Sequence, residues 1–260
     1  MTDLDGTLLD DRYDEQHAAR ALDRLRQQWP QVVGVALASS KTLAEMVSLA
    51  RHCTTPPALI FENGCGWSWG ENAPILCDGV VAYNDIRRHI TTLRTRWGYD
   101  FAGFGDFGPE GVIKHTGLES AAAERACERT ATEPLLWRDT PARLQAFTTQ
   151  LASAGLRVLS GGRFLHVCSG FDKATAAAEW QLALQRQLAI AHPPRLIACG
   201  DAPNDAAMLN AADHAIVFPN RGTAGLPPLG VPASRAATCG PDAWLTAVTQ
   251  TLQLLQERPT

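Results

Sequence analysis

The first ten residues, MTDLDGTLLD (1–10), decide how the rest of the chain is read. Two carboxylates, Asp3 and Asp5, stand two residues apart, so on an extended backbone they share one face. Gly6 follows as a turn residue, then the Thr7 hydroxyl and the apolar pair Leu8 and Leu9. A strand that ends in two acids and a tight turn delivers negative charge to the edge of a sheet. The question is what else reaches that edge.

The chain supplies a sheet of the right kind. Ala19, Leu22 and Leu25 recur at helical spacing within 13–29, and Pro30 ends that helix. VVGVALA (32–38) is a continuous apolar run, as suits a strand covered on both faces. SKTLAEMVSLARHC (40–53) reads as a helix and ALIFEN (58–63) as another buried strand. The stretch 66–83 alternates and contains Gly, which predicts short antiparallel strands. From 85 the pattern changes: a helix over 85–97, a strand over 99–105, helices near 109–116 and 119–130, a short strand at 135–137 and a helix over 140–154. LRVLSGGRFLHVC (156–168) reads as a hairpin turning at Gly161-Gly162. Then the first pattern resumes: a long helix over 172–191, a strand over 195–201, a helix over 203–212, a strand over 214–220, a Pro/Gly-rich loop over 222–235 and a helix over 241–256. The fold class is therefore α/β: a doubly wound parallel-sheet core built from 1–84 and 171–260, interrupted by an inserted α+β cap over 85–170.

Composition narrows the function classes. The 260 residues carry a net charge of −4 and 19% charged residues, with no basic tail that would suit nucleic acid. No apolar run is long enough to span a bilayer, and the amino terminus has no signal-peptide pattern. The expected location is the cytoplasm. The seven cysteines are odd in number and none have CxxC spacing, which predicts reduced, mostly buried thiols. Only three of the 23 basic residues are lysines, Lys41, Lys114 and Lys173. Lysine and arginine are not interchangeable, so these positions are informative.

Four features fall at or just after the ends of core strands: Asp3-Leu4-Asp5-Gly6-Thr7, Ser39-Ser40-Lys41-Thr42, Lys173, and Gly200-Asp201-Ala202-Pro203-Asn204-Asp205. In a parallel sheet these ends meet in one crevice at the topological switch point. Singly, each has a plain structural reading as a turn, a helix cap or a surface lysine. Together they suit one chemistry. Three acidic groups hold a hard divalent cation such as Mg2+. A carboxylate can attack phosphorus, and a second one two residues on can exchange protons with the leaving alcohol and with water. A lysine ammonium neutralises phosphoryl charge. A serine at a strand end holds the remaining oxygens.

These motifs resemble the haloacid-dehalogenase superfamily of Mg2+-dependent phosphohydrolases, and the α+β insert resembles its type IIB cap. SSKTxAEM (39–46), FENG (61–64), the TGLE block (116–125), TEP (132–134) and GGRFLHV (161–167) further resemble the mannosyl-3-phosphoglycerate phosphatase family. The resemblance implies Asp3 as nucleophile and metal ligand. It implies Asp5 as general acid/base, with its carbonyl on the metal, and Asp201 as third metal anchor. Ser39 and Lys173 would hold the phosphoryl group, and Asn204 and Asp205 would support the metal site. It further implies that Arg163, His166, Lys41, Glu62 and Asn63 contact a phosphorylated glycosyl substrate. The reaction would be hydrolysis of mannosyl-3-phosphoglycerate to the compatible solute mannosylglycerate. The alternatives are a general sugar-phosphate phosphatase, a glucosyl-3-phosphoglycerate phosphatase, or a non-catalytic sugar-phosphate binder. The chain departs from the family pattern at Thr130, where an acid is expected. It also has only Met1 and Thr2 ahead of the first motif, where a buried strand needs about five residues. The central strand is therefore expected to be cut short at its amino-terminal half.

Overall fold

The computed structural model describes residues 1–161, 163–220 and 225–256. Its larger sheet has eight strands: β1 (Thr2–Asp3), β2 (Ala36–Ala38), β3 (Ala58–Phe61), β4 (Gly66–Trp69), β5 (Ile75–Leu76), β10 (Ile197–Gly200), β11 (His214–Val217) and β12 (Ala233–Arg235). They lie in the order β12-β11-β10-β1-β2-β3-β4-β5, parallel from β12 to β3 and antiparallel beyond. The chain winds outward from β1 through β2 and β3, then returns to the other side of β1 at β10. That reversal places the switch point beside β1.

Side-chain size decides how the layers stack. Successive strand residues face opposite ways. Leu37, Leu59, Phe61, Cys199 and Ile216 pack with α1 (Glu15–Gln28), α2 (Leu43–Ala50) and α9 (Pro241–Gln256). Ala36, Ala38, Ala58, Ala198 and Ala215 face α7 (Lys173–Leu188) and α8 (Ala206–Asn210). The alanine face lets α7 lie close enough to bury Trp180 against the sheet.

The insert has its own sheet, order β6-β7-β9-β8, antiparallel throughout. Its strands are β6 (Phe101–Gly103), β7 (Thr132–Trp137), β8 (Leu156–Gly161) and β9 (Phe164–Ser169). Phe101, Leu135 and Val167 point into a core shared with α3 (Tyr83–Trp97) and α6 (Pro141–Ala152). A second small cluster joins α4 (Phe104–Thr116) to α5 (Ser120–Cys127). The core-plus-cap α/β architecture read from the sequence is present. All seven cysteines are free. No helix among the described residues is long and apolar enough to cross a membrane.

Several boundaries differ from expectation. β7 starts at Thr132 rather than 135, because Pro134 lies past the end of β6, where the strand has one neighbour only. α4 begins at Phe104 and is broken at Gly108, whose φ of 62° admits the kink ahead of Pro109. The end of the 203–212 helix stops at Asn210, after a tight turn over Pro203–Asp205. The Pro/Gly-rich loop contributes β12 at the sheet edge, while its residues 222–224 lie outside the described residues, as does Gly162 of the hairpin turn.

The largest departure is in β2. The run 32–38 forms a strand only over Ala36–Ala38. Its neighbour β1 is two residues long, so Val33, Gly34 and Val35 border a cavity of ≈ 370 Å³ instead of a ladder partner. Leu196 and Ile197 form the opposite wall, with Trp180 and Leu184 of α7 and Trp244 and Val248 of α9 above and below. The Met1 ammonium caps the cavity and donates to the Ile197 carbonyl at 2.7 Å. Burial lowers the pKa of that ammonium.

Candidate active site

The turn after β1 explains the DLDGTLLD pattern. Leu4, Leu8 and Leu9 are buried and anchor the segment in the core. The Leu4 carbonyl accepts from the amides of Thr7 (3.2 Å) and Leu9 (2.7 Å), closing the turn. Gly6 has φ +83°, and a Cβ there would lie 2.9 Å from an Asp201 oxygen. Only glycine lets the turn approach Asp201 this closely. Leucines inward and acids outward leave Asp3 and Asp5 facing the crevice.

Lys173 lies at the first turn of α7, 1% exposed. Its ammonium bridges Asp3 Oδ1 and Asp205 Oδ1, the latter at 2.7 Å. Burial works to lower its pKa, but Asp205 and Asp3 outweigh that and hold the ammonium above its ordinary value. Asp205 is fully buried, and its Oδ2 accepts from the amides of Asp201 and Ala202, each at 3.0 Å. Asp201 also accepts from the Thr7 hydroxyl at 3.3 Å, and its carbonyl accepts from Asn220 Nδ2 at 2.8 Å. Oxygens of Asp3, Asp201 and Asp205 lie within 4.8 Å of one another. Burial, then the neighbouring Asp205, push Asp3 well above the carboxylate range and Asp201 up to about 6. Three crowded acids with one ammonium between them form a donor set that suits a hard divalent cation, whose charge would relieve that repulsion.

The second side of the crevice is the end of β2. Ser39 is 1% exposed, and its Oγ accepts from the Lys41 amide at 3.2 Å. Its hydroxyl proton remains to be donated. Lys41 Nζ pairs with Asp5 Oδ2 at 2.8 Å and lies 5.4 Å from the Tyr13 ring centroid. Asp5 Oδ1 is buried without a partner among the described residues. Lys41 is thus tied to the second carboxylate of the first motif, a contact the sequence order did not reveal.

The cap-side residues divide into three kinds. Glu62 was expected to read a substrate hydroxyl, but its carboxylate is fully buried and engaged elsewhere. It accepts from the amides of Thr130 (2.7 Å) and Ala131 (3.1 Å) and from the Thr132 hydroxyl (2.7 Å). It fastens the cap to the core, so it is withdrawn from the substrate contacts. The same contacts account for Thr130: its amide, rather than an acidic side chain, meets the core. Asn63 accepts from Asn204 Nδ2 at 3.2 Å, linking the turns after β3 and β10. Arg163 is exposed and donates to the carbonyls of His115 (2.9 Å) and Thr116 (3.3 Å) at the end of α4. His166 is 7% exposed on the β9 face opposite Val167. Its Nδ1 has no partner among the described residues, and burial, with Arg129 and Lys173 nearby, pushes its pKa down to about 3. It is a neutral imidazole.

Sequence reasoning missed Arg129. Its Nη1 donates to the Ser40 carbonyl at 2.9 Å and to Thr132 Oγ1 at 3.2 Å, and its guanidinium lies over Phe104. The Thr42 hydroxyl likewise reaches across to the Arg125 carbonyl at 2.8 Å. An arginine following a short helix carries no local signal for such a role.

No protein-family model matches the chain. Solved structures resemble it over nearly its full length. The haloacid dehalogenase-like hydrolase from B. subtilis aligns with a TM-score of 0.61 and 16% identity, over 97% of this chain and 98% of its own. BT1666 from Bacteroides thetaiotaomicron, a phosphatase of the haloalkanoate (HAD) enzyme superfamily, aligns at 0.63 and 17% identity, over 98% and 94%. The sucrose-phosphatase from Synechocystis sp. PCC6803, solved with sucrose and phosphate, aligns at 0.58 and 15% identity, over 96% and 95%. The fold of this chain is that of the haloacid dehalogenase-like hydrolases.

Proposed function

We propose that the protein is a Mg2+-dependent phosphomonoester hydrolase that works through an aspartyl-phosphate, with a core over 1–84 and 171–260 and a cap over 85–170. The observation that carries the reading is the buried Lys173 ammonium bridging Asp3 and Asp205 at the switch point, with Asp5 and Asp201 alongside.

Asp3 is the nucleophile. One of its oxygens attacks phosphorus while the bond to the leaving alcohol breaks, and Asp5 gives that alcohol its proton. Asp5 then takes a proton from water as the water oxygen attacks the aspartyl-phosphate, releasing phosphate and restoring Asp3. Lys173 steadies Asp3 and the phosphoryl charge, and Ser39 donates to a phosphoryl oxygen. Asp3, Asp201 and the Asp5 carbonyl would hold Mg2+, which supplies charge neutralisation to the phosphoryl group. Asp205 and Asn204 keep Asp201 in place.

The substrate we propose is mannosyl-3-phosphoglycerate, with a general sugar phosphate as second reading. A sugar phosphate is supported by the likeness to a phosphatase solved with sucrose and phosphate. The carboxylate-bearing substrate is supported by Lys41, whose ammonium lies beside Asp5 in the crevice; Arg163, held by the carbonyls of His115 and Thr116, would reach it from the cap. His166 is neutral and would exchange hydrogen bonds with a sugar hydroxyl rather than pair with a carboxylate.

Replacing Asp3→Asn should lower kcat by about a thousandfold or more and, by leaving Lys173 with one carboxylate, lower the melting temperature. For the unchanged protein, kcat/KM on mannosyl-3-phosphoglycerate should exceed that on mannose 6-phosphate and glucose 6-phosphate; parity would leave the general reading. Mg2+ at millimolar concentration should raise the melting temperature at about pH 7.5 and lose that effect by about pH 5, as Asp3 and Asp201 take up protons. A gain that is independent of pH would remove these acids as ligands. His166 is the clearest acid-sensitive group in the cap. Its folded pKa is depressed, so the unfolded chain binds the extra proton, and the stability it preserves is present above about pH 6.5 and lost toward about pH 3. His166→Gln should flatten the stability profile across that window. An unchanged slope would place the acid sensitivity elsewhere.

A further inference from the structure

The loop that joins the first motif to α1 ends in a residue that its surroundings do not require. Tyr13 is the most exposed large apolar side chain among the described residues, at 56%. Its φ is +50°, a left-handed backbone that bulky residues rarely adopt. Four non-glycine residues in the described chain have positive φ: Tyr13, Glu62, Asn63 and Ala189. Ala189 only ends α7, Glu62 is turned to the cap backbone, and Asn63 links the turn after β3 to Asn204. The turn is held by the Tyr13 amide donating to the Asp10 carbonyl at 3.1 Å.

The strain sets the ring beside the reacting groups. Lys41, paired with Asp5, lies on one side of the ring, and the rest of the side chain is open to solvent. Asp5 and Lys41 from the core and Arg163 from the cap all act electrostatically on the phenol. Tyr13 therefore stands beside the Lys41–Asp5 pair at the rim of the crevice, where the leaving group of a substrate bound at Asp3 would lie. A phenol ring offers a flat apolar face and a hydroxyl at its edge. That pairing fits the C–H face and hydroxyl rim of a hexose.

We propose that Tyr13 is a specificity-determining residue that stacks on the sugar ring of the leaving group. The proposal rests on the phosphatase reading for its place in turnover, but the binding it describes can be measured without turnover. The comparison uses mannose 6-phosphate and acetyl phosphate, which has no ring, with Tyr13→Leu and Tyr13→Phe. Tyr13→Leu should lower the ratio of kcat/KM for the sugar over the acyl phosphate about five- to tenfold, mainly through KM, and Tyr13→Phe should retain most of it. A ratio unchanged by Tyr13→Leu, with both substrates losing kcat alike, would show that the ring only positions Lys41 against Asp5, and would overturn the proposal. Calorimetry on Asp3→Asn protein, with and without Tyr13→Leu, gives the second reading. Mannose 6-phosphate should bind about five- to tenfold more weakly without the ring, relative to inorganic phosphate. Equal weakening of both ligands, or of neither, overturns the proposal. Absence of hydrolysis of either substrate by the unchanged protein would sink the phosphatase reading while this binding comparison still decides Tyr13.

Discussion

A lysine ammonium shut away from water and shared between two carboxylates organises this molecule. Lys173 has no solvent to satisfy it, so it depends on Asp3 and Asp205. Removing either partner would strand a buried charge, at a cost of about 3–5 kcal/mol. The pair also fixes geometry. Asp3 ends β1, Asp205 follows β10, and Lys173 opens the helix that packs on the alanine face between them. One ion triad thus aligns two central strands and one helix. Asp205 then uses its other oxygen on the backbone of the turn that carries Asp201.

The second organising set joins cap to core without entering the reaction. Glu62 takes three hydrogen bonds from residues 130–132, and Arg129 and Thr42 connect α5 with the loop that holds Ser39 and with the start of α2. These contacts neighbour the proposed phosphoryl-holding serine. The position of the cap and the position of the Ser39–Ser40 backbone are therefore one structural variable. In the proposed reaction, a substrate that changes how the cap sits would change how the phosphoryl oxygens are held.

Much of this was legible in the sequence because it is local or periodic. Buried parallel strands show as apolar runs, the Leu4-Gly6-Leu8 spacing shows the turn, and the acids at strand ends converge by topology alone. What escaped was set by long-range packing. That residues 32–34 form no strand is set by what they pack against far along the chain, not by their own pattern. The Lys41–Asp5 pair joins residues on neighbouring strands whose side-chain directions no pattern encodes. The resemblance makes Glu62 a substrate contact, yet a left-handed turn at Glu62 and Asn63 directs its carboxylate to the cap backbone. Arg129 and Tyr13 stand at the ends of segments read as helices, so only the folded geometry reveals them.

The place of β1 between β2 and β10 also has a consequence for how the protein is made. β2 is available soon after β1 emerges, but β10 follows only after the whole cap has been synthesised. The cap sheet draws all four of its strands from 101–169 and can close on itself first. Until residues 197–205 leave the ribosome, one edge of β1 stays unpaired and the Lys173 ammonium lacks Asp205, its second carboxylate. The crevice then forms after the cap, and the half-made core presents an open central strand edge, the kind of surface that chaperones protect and that aggregation exploits.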